Sequence, residues 1–149
     1  MDDIDRKILG TIQSEFPLSR RPYRDLSDLL GFSEEEILGR VKNLKEDGII
    51  RRIGGSLDSH LLGFTTTLCA AKVPDNRIGL FVEEVNKYPG VTHNYLRDHE
   101  YNIWFTLVVS DQGEVDRLIG EIIQSTGVEE LITLPATRAF KVSADFEIP

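Results

Sequence analysis

Between residues 90 and 106 the chain reads GVTHNYLRDHEYNIWFT, which brings imidazole, guanidinium, phenol, amide and indole groups into one short stretch. If Arg97, Asp98, His99 and Glu100 form a turn, Leu96 pairs with Tyr101, Tyr95 with Asn102, Asn94 with Ile103 and His93 with Trp104. Side chains alternate along a strand, so opposed residues share a face. One face then holds Asn94, Leu96, Tyr101, Ile103 and Phe105, suited to packing on helices. The other holds His93, Tyr95, Asn102 and Trp104. That second face suits a large planar molecule with polar edges: Trp104 and Tyr95 offer stacking area, while His93 and Asn102 fix orientation. Arg97 and His99 at the turn are placed to grip carboxylates or phosphates. The same residue types also suit a subunit interface, and the two uses are compatible.

Other chemistries find little support. Cys69 is the single cysteine, which leaves no partner for an internal disulfide and no cysteine zinc site. His60, His93 and His99 do not follow a metal-ligand spacing, so no protein metal site is expected. Asp98 and His99 are adjacent on a turn and point apart, unlike a catalytic relay. Gly54-Gly55 lacks the context of a phosphate loop and reads as a turn. Arg20-Arg21 and Arg51-Arg52 are the clear basic pairs, and the second is the better candidate for an anion site because it leads into the later domain.

The elements that carry these residues follow from periodicity. Ile4, Ile8, Leu9 and Ile12 recur at helical spacing, Leu26, Leu29 and Leu30 make a short helix stopping at Gly31, and Ile37, Val41 and Leu44 stripe a third. Ser33 and Glu36 fit a capping box opening that third helix. Residues 49–53 are β-prone and end at Gly54-Gly55, which predicts one arm of a wing. Residues 1–60 therefore read as a winged helix-turn-helix. Beyond them come a strand at 65–73, a helix at 78–87, strands at 91–96 and 101–109, a helix at 115–125, and an extended stretch at 130–142 interrupted by Pro135. The order βαββαβ predicts an α+β fold, with a ferredoxin-like domain over 61–149 whose helices cover one face of one sheet.

At 149 residues and a net charge of −8, the chain argues against broad attraction to polyanions or membranes. The reading helix of a DNA-binding helix-turn-helix normally opens on neutral or cationic residues, yet here it opens on Glu34, Glu35 and Glu36. Across residues 23–48 there are four cations against seven anions, so DNA binding is not expected. No leader and no apolar stretch long enough for a membrane helix is visible, and the lone Cys69 makes a reducing cytoplasm the expected home.

A winged helix-turn-helix followed by βαββαβ resembles the Lrp/AsnC family of transcription factors, and residues 44–50, LKEDGII, are similar to that family's helix-to-wing junction. In place of the family's Thr-Gly-x-x-Asp element the chain carries Asp98-His99-Glu100-Tyr101-Asn102. The whole segment 90–106 is similar to the signature of sirohaem decarboxylases of the alpha type, enzymes built on the Lrp/AsnC fold. The resemblance implies removal of the acetate carboxyls at carbons 12 and 18 of sirohaem as carbon dioxide, giving 12,18-didecarboxysirohaem in the alternative haem pathway. It also implies a heterodimer with a homologous beta-type subunit, and no cofactor beyond sirohaem itself. On that footing His93 is the general acid, Tyr95 and Asn102 orient the ring, Trp104 packs on it, and Arg51, Arg52, Arg97 and Arg138 hold peripheral carboxylates. His99 holds a carboxylate or serves as axial ligand to the substrate's iron. The competing reading is an Lrp/AsnC-type regulator that senses haem or another tetrapyrrole.

Overall fold

The computed structural model describes residues 1–55, 57–142 and 147–149. The chain divides into two units, Met1–Gly55 with Lys141–Pro149, and Ser56–Phe140. The C-terminal segment thus groups with the first unit, a long-range return that no local pattern announces.

In the first unit, α1 (Asp3–Ser14), α2 (Pro22–Leu30) and α3 (Glu34–Glu46) pack Ile8, Leu9, Leu26, Ile37, Val41 and Leu44 into one core. Apolar stripes at helical spacing leave these helices no other way to hide their apolar surface from water. Gly31 ends α2 in the left-handed region, at φ 75°, where a side chain is strained. Ser33 Oγ caps α3 by accepting the Glu36 N–H at 3.2 Å. The reciprocal half of the expected capping box is not made, because the Glu36 carboxylate turns to Arg40. A complete capping box forms instead at α1, between Asp2 and Asp5.

The predicted wing strand is absent: residues 49–53 pair with no strand. After α3 the chain turns through Gly48 at φ 74°, and Ile50 folds back to donate its N–H to the Leu44 carbonyl at 3.0 Å. Ile50 is then buried in the three-helix core. A strand needs a paired neighbour, and burial of Ile50 satisfies the apolar pattern without one.

The second unit is a four-stranded antiparallel sheet of β1 (Thr65–Ala71), β2 (Val91–Leu96), β3 (Ile103–Val109) and β4 (Leu131–Pro135), in the order β2-β3-β1-β4. Helices α4 (Ile78–Val85) and α5 (Gln112–Thr126) connect β1 to β2 and β3 to β4. This is the ferredoxin-like order that the element sequence predicts. The expected final extended stretch stops at Pro135, whose ring removes a ladder donor. Phe81 and Val85 of α4 with Val115, Leu118 and Ile122 of α5 bury Cys69, Ile103, Phe105, Leu107 and Val109. Both helices therefore lie on one side of the sheet. Among the described residues no helix is long and apolar enough to cross a membrane.

Gly90, just before β2, lies so close to β3 that a Cβ there would sit 2.6 Å from the Val108 carbonyl oxygen. Its own carbonyl accepts the Val108 N–H at 2.8 Å, so the two backbones cannot separate without losing that bond. Gly90→Ala is expected to destabilise the chain by about 1–3 kcal/mol, the usual cost of overpacking, measured by chemical denaturation. A second prediction concerns acid. The Asp2 carboxylate takes N–H bonds from Asp5 and Ile4 and faces Arg40, which lowers its pKa from 3.8 to about 2. A depressed folded pKa contributes stability above the unfolded value, and that stability is lost as pH falls through the folded one. The unfolding midpoint should therefore drop between about pH 4 and pH 2, and Asp2→Asn should flatten that slope.

Candidate functional site

The β2–β3 hairpin, which holds most of the candidate residues, pairs in a register two residues from the expected one. Leu96 pairs with Ile103, Tyr95 with Trp104, Asn94 with Phe105 and His93 with Thr106, with a bulge between Val91 and His93. The connection is a six-residue loop, Arg97 to Asn102, closed by the Arg97 N–H on the Asn102 carbonyl at 2.7 Å. A two-residue shift keeps every strand side chain on its face. Ile103, Phe105 and Leu107 point into the core, while His93, Tyr95, Trp104 and Thr106 point to the opposite side. Tyr101 and Asn102 fall outside both strands, which corrects their expected pairing.

On the uncovered face, Tyr95 stands opposite the partly buried Trp104. The His93 ring stacks on Tyr95 with centroids 6.2 Å apart and planes within 23°, and the Arg97 guanidinium carbon lies over the Tyr95 ring, 5.3 Å from its centroid. A cation over an aromatic face is attracted by the ring's quadrupole, so Tyr95 holds Arg97 against the sheet. His93 Nδ1 lies 3.1 Å from Thr92 Oγ1. Trp104 donates its indole N–H to the Tyr101 carbonyl at 2.6 Å, which fixes the ring plane. His93, Tyr95, Arg97 and His99 are all exposed. Aliphatic side chains continue the same face across β1 and β4, where Leu68, Ile132 and Leu134 are each about two-fifths exposed.

The remaining predicted residues sit differently. Asn102 does not present its amide to this face: Oδ1 accepts the Val73 N–H at 2.9 Å and Nδ2 donates to the Val73 carbonyl at 2.8 Å. His99 Nδ1 accepts the Tyr101 N–H at 3.1 Å, so the neutral ring carries its proton on Nε2. Arg138 lies beyond β4, exposed, its guanidinium 4.9 Å from the Phe140 centroid. Arg51 and Arg52 are exposed residues of the first unit. Lys72, which the sequence reading did not single out, pairs with Glu100 of the hairpin loop and with Glu130 at 3.6 Å. These carboxylates raise the pKa of Lys72, and Lys72 lowers that of Glu100. The only signal for it in the sequence was a cation just past the end of β1. Cys69 is fully buried, and burial pushes its thiol up to about 12. It is no nucleophile.

The helix-turn-helix has its own electrostatics. Arg40 of α3 pairs with Asp2 and Asp5 at 2.8 Å each and with Glu36 at 3.2 Å, while Arg21 pairs with Glu34 at 2.7 Å. Arg40 of α3 is thus held among carboxylates of its own unit.

A three-helix unit followed by a ferredoxin-like sheet defines the AsnC-like class, and the family model described as the AsnC-like ligand binding domain matches residues 61–141. The siroheme decarboxylase NirDL-like HTH domain matches residues 5–51. The siroheme decarboxylase alpha subunit of Desulfovibrio desulfuricans is 52% identical over 99% of this chain and 85% of its own length. The siroheme decarboxylase NirD subunit of Pseudomonas aeruginosa is 37% identical over 99% of this chain and 97% of its own. A crystal structure of the siroheme decarboxylase NirDL in complex with an iron-uroporphyrin III analogue superposes with a TM-score of 0.70 at 34% identity, covering 97% of this chain and 48% of that one. The chain belongs to the siroheme decarboxylase family.

The geometry makes one spectroscopic prediction. In a long-range proton–nitrogen correlation spectrum, neutral His99 should show the Nε2–H tautomer, because the Tyr101 N–H occupies Nδ1. An Nδ1–H pattern would show that the loop does not hold this bond in solution.

Proposed function

We propose that this chain is a subunit of a carboxy-lyase acting on sirohaem, which removes the acetate carboxyls at carbons 12 and 18 and yields 12,18-didecarboxysirohaem and carbon dioxide in the alternative haem pathway. The observation that carries the reading is the Tyr95–Trp104 pair on an uncovered sheet face, with His93 and Arg97 against Tyr95. Flat surface, a proton carrier and a fixed cation together match a planar polycarboxylate.

For each acetate, the bond between the methylene and carboxylate carbons breaks and its electron pair delocalises into the conjugated ring. Carbon dioxide leaves, and the methylene carbon takes one proton to become a methyl group. The macrocycle itself is the electron sink, so the reaction calls for no cofactor beyond the substrate. His93 delivers the proton, since imidazole exchanges protons near neutral pH. Tyr95 and Trp104 lie against the ring. Arg97 and Arg138 hold peripheral carboxylates. His99, with its proton on Nε2, donates to a carboxylate. Axial ligation of the iron through that nitrogen would require the ring to surrender its bond to Tyr101.

A homologous beta-type subunit completes the site as a heterodimer. Two findings support this: the relatives are named as subunits, and this chain spans about half of the NirDL chain. The aliphatic part of the sheet face, Leu68, Ile132 and Leu134, gives such a partner an apolar landing area. We place the enzyme in the cytoplasm, where a lone reduced thiol is ordinary. The regulator reading is set aside: the acidic start of α3 and the carboxylates around Arg40 oppose contact with a duplex.

Anaerobic incubation of sirohaem with this chain and its beta-type partner, followed by product mass, should show two successive losses of carbon dioxide. His93→Ala should slow the reaction by about a hundredfold or more, the usual scale of general acid catalysis, and a rate within about tenfold of wild type would remove His93 from that role. Tight, sequence-selective duplex binding at low salt would restore the regulator.

A further inference from the structure

We infer that Asn102 is a positioning residue of this site, clamping the Arg97–Asn102 loop to the end of β1 so that Arg97 and His99 meet substrate carboxylates in a preset geometry. The inference rests on the decarboxylase reading above.

The clamp is unusual in its economy. Strand β1 ends at Ala71 and β3 begins at Ile103, yet the Asn102 side chain makes both bonds of one further rung with Val73, at 2.9 and 2.8 Å. The amide mimics a peptide, donating and accepting where the ladder has stopped. At the same residue the backbone carbonyl accepts the Arg97 N–H at 2.7 Å and closes the loop. Next to Val73, the Lys72 ammonium reaches Glu100 in the middle of the loop. Inside the loop the Tyr101 N–H holds His99, and the Tyr101 carbonyl is held by Trp104. The exposed loop residues bury no apolar core that would order them. Its order comes from these bonds, and Asn102 is the residue on which the neutral ones converge. Asp would present a second acceptor to the Val73 carbonyl, and Ala would abandon both bonds.

The consequence is kinetic. Arg97 and His99 grip carboxylates in the ground state and the transition state alike, so loosening their loop weakens binding without slowing the chemical step. The experiment uses the full chain with its beta-type partner and sirohaem. Asn102→Ala should raise the sirohaem KM about tenfold and leave kcat within about threefold, the pattern of lost uniform binding. Without substrate, the Val73 and Arg97 amides should exchange hydrogen with solvent about tenfold faster or more, because both lose protection when the clamp opens. Lys72→Met, which cuts the exposed ion pairs to Glu100 and Glu130 and leaves the Asn102 bonds in place, should shift KM in the same direction by a smaller factor. If Asn102→Ala does not fold, Asn102→Asp carries the test, since it keeps the acceptor for the Val73 N–H and loses the donor to the Val73 carbonyl.

Unchanged exchange at Val73 and Arg97 would overturn the clamp. Faster exchange with an unchanged KM, or a fall in kcat at constant KM, would overturn its role in positioning. A wild-type pair that neither binds nor decarboxylates sirohaem would remove the decarboxylase reading instead. The substrate-free exchange measurement would still decide whether Asn102 holds the loop.

Discussion

A four-stranded sheet has two faces, and α4 and α5 cover one of them. That imbalance organises the second unit. On the covered side the pattern is plain: Ile103, Phe105, Leu107 and Val109 alternate inward and are buried. The residues between them are committed to the other side by the pleat and by nothing else. Evolution has placed there two aromatic rings, an imidazole and a guanidinium toward β2, and aliphatic side chains toward β4. The face is therefore graded, from a half lined by aromatic rings and polar groups to a half lined by aliphatic side chains. In the proposed assembly the aliphatic half is the part that a partner subunit would keep from water.

The first unit keeps the helix-turn-helix packing with an acidic start to α3. Three helices around Ile8, Leu26 and Ile37 keep the helix-turn-helix geometry. Arg40, on the helix that would enter a groove, is turned inward to Asp2, Asp5 and Glu36. The guanidinium now links α1 to α3. Core packing is indifferent to which ions decorate the outside, so the three-helix shape is compatible with an acidic α3 start.

Much of this was legible in the sequence, and the exceptions have identifiable causes. Helix stripes and period-2 patterns place the α-helices and β1, β2 and β3 of the described residues to within a few positions, because both periods reflect which side faces the core; the pattern of the C-terminal strand runs on past Pro135, where its ladder stops. The wing strand failed because Ile50 has two ways to leave water, and local composition does not say that the helix core is nearer than a second strand. The hairpin register departs from the local pattern because four polar residues, 97–100, suggest a shorter turn, while Asn102 is withdrawn from its strand by Val73, 29 positions earlier in the chain. Lys72 gives no local signal for the same reason: its partner Glu100 is near only once β1 and β3 are paired. Local pattern reports on burial, and these bonds are made between segments that no local window contains.

The two-residue difference in register also bears on how such a hairpin can change over time. A one-residue slip of β3 against its neighbours would send Trp104 into the core and Phe105 out of it. A slip of two would leave every ring on its present side. Register in this hairpin is thus quantised by the pleat, whereas the loop of residues 97–102 lies outside both strands and can gain or lose a residue without moving it; within the strand, an odd residue needs a bulge such as the one already present between Val91 and His93.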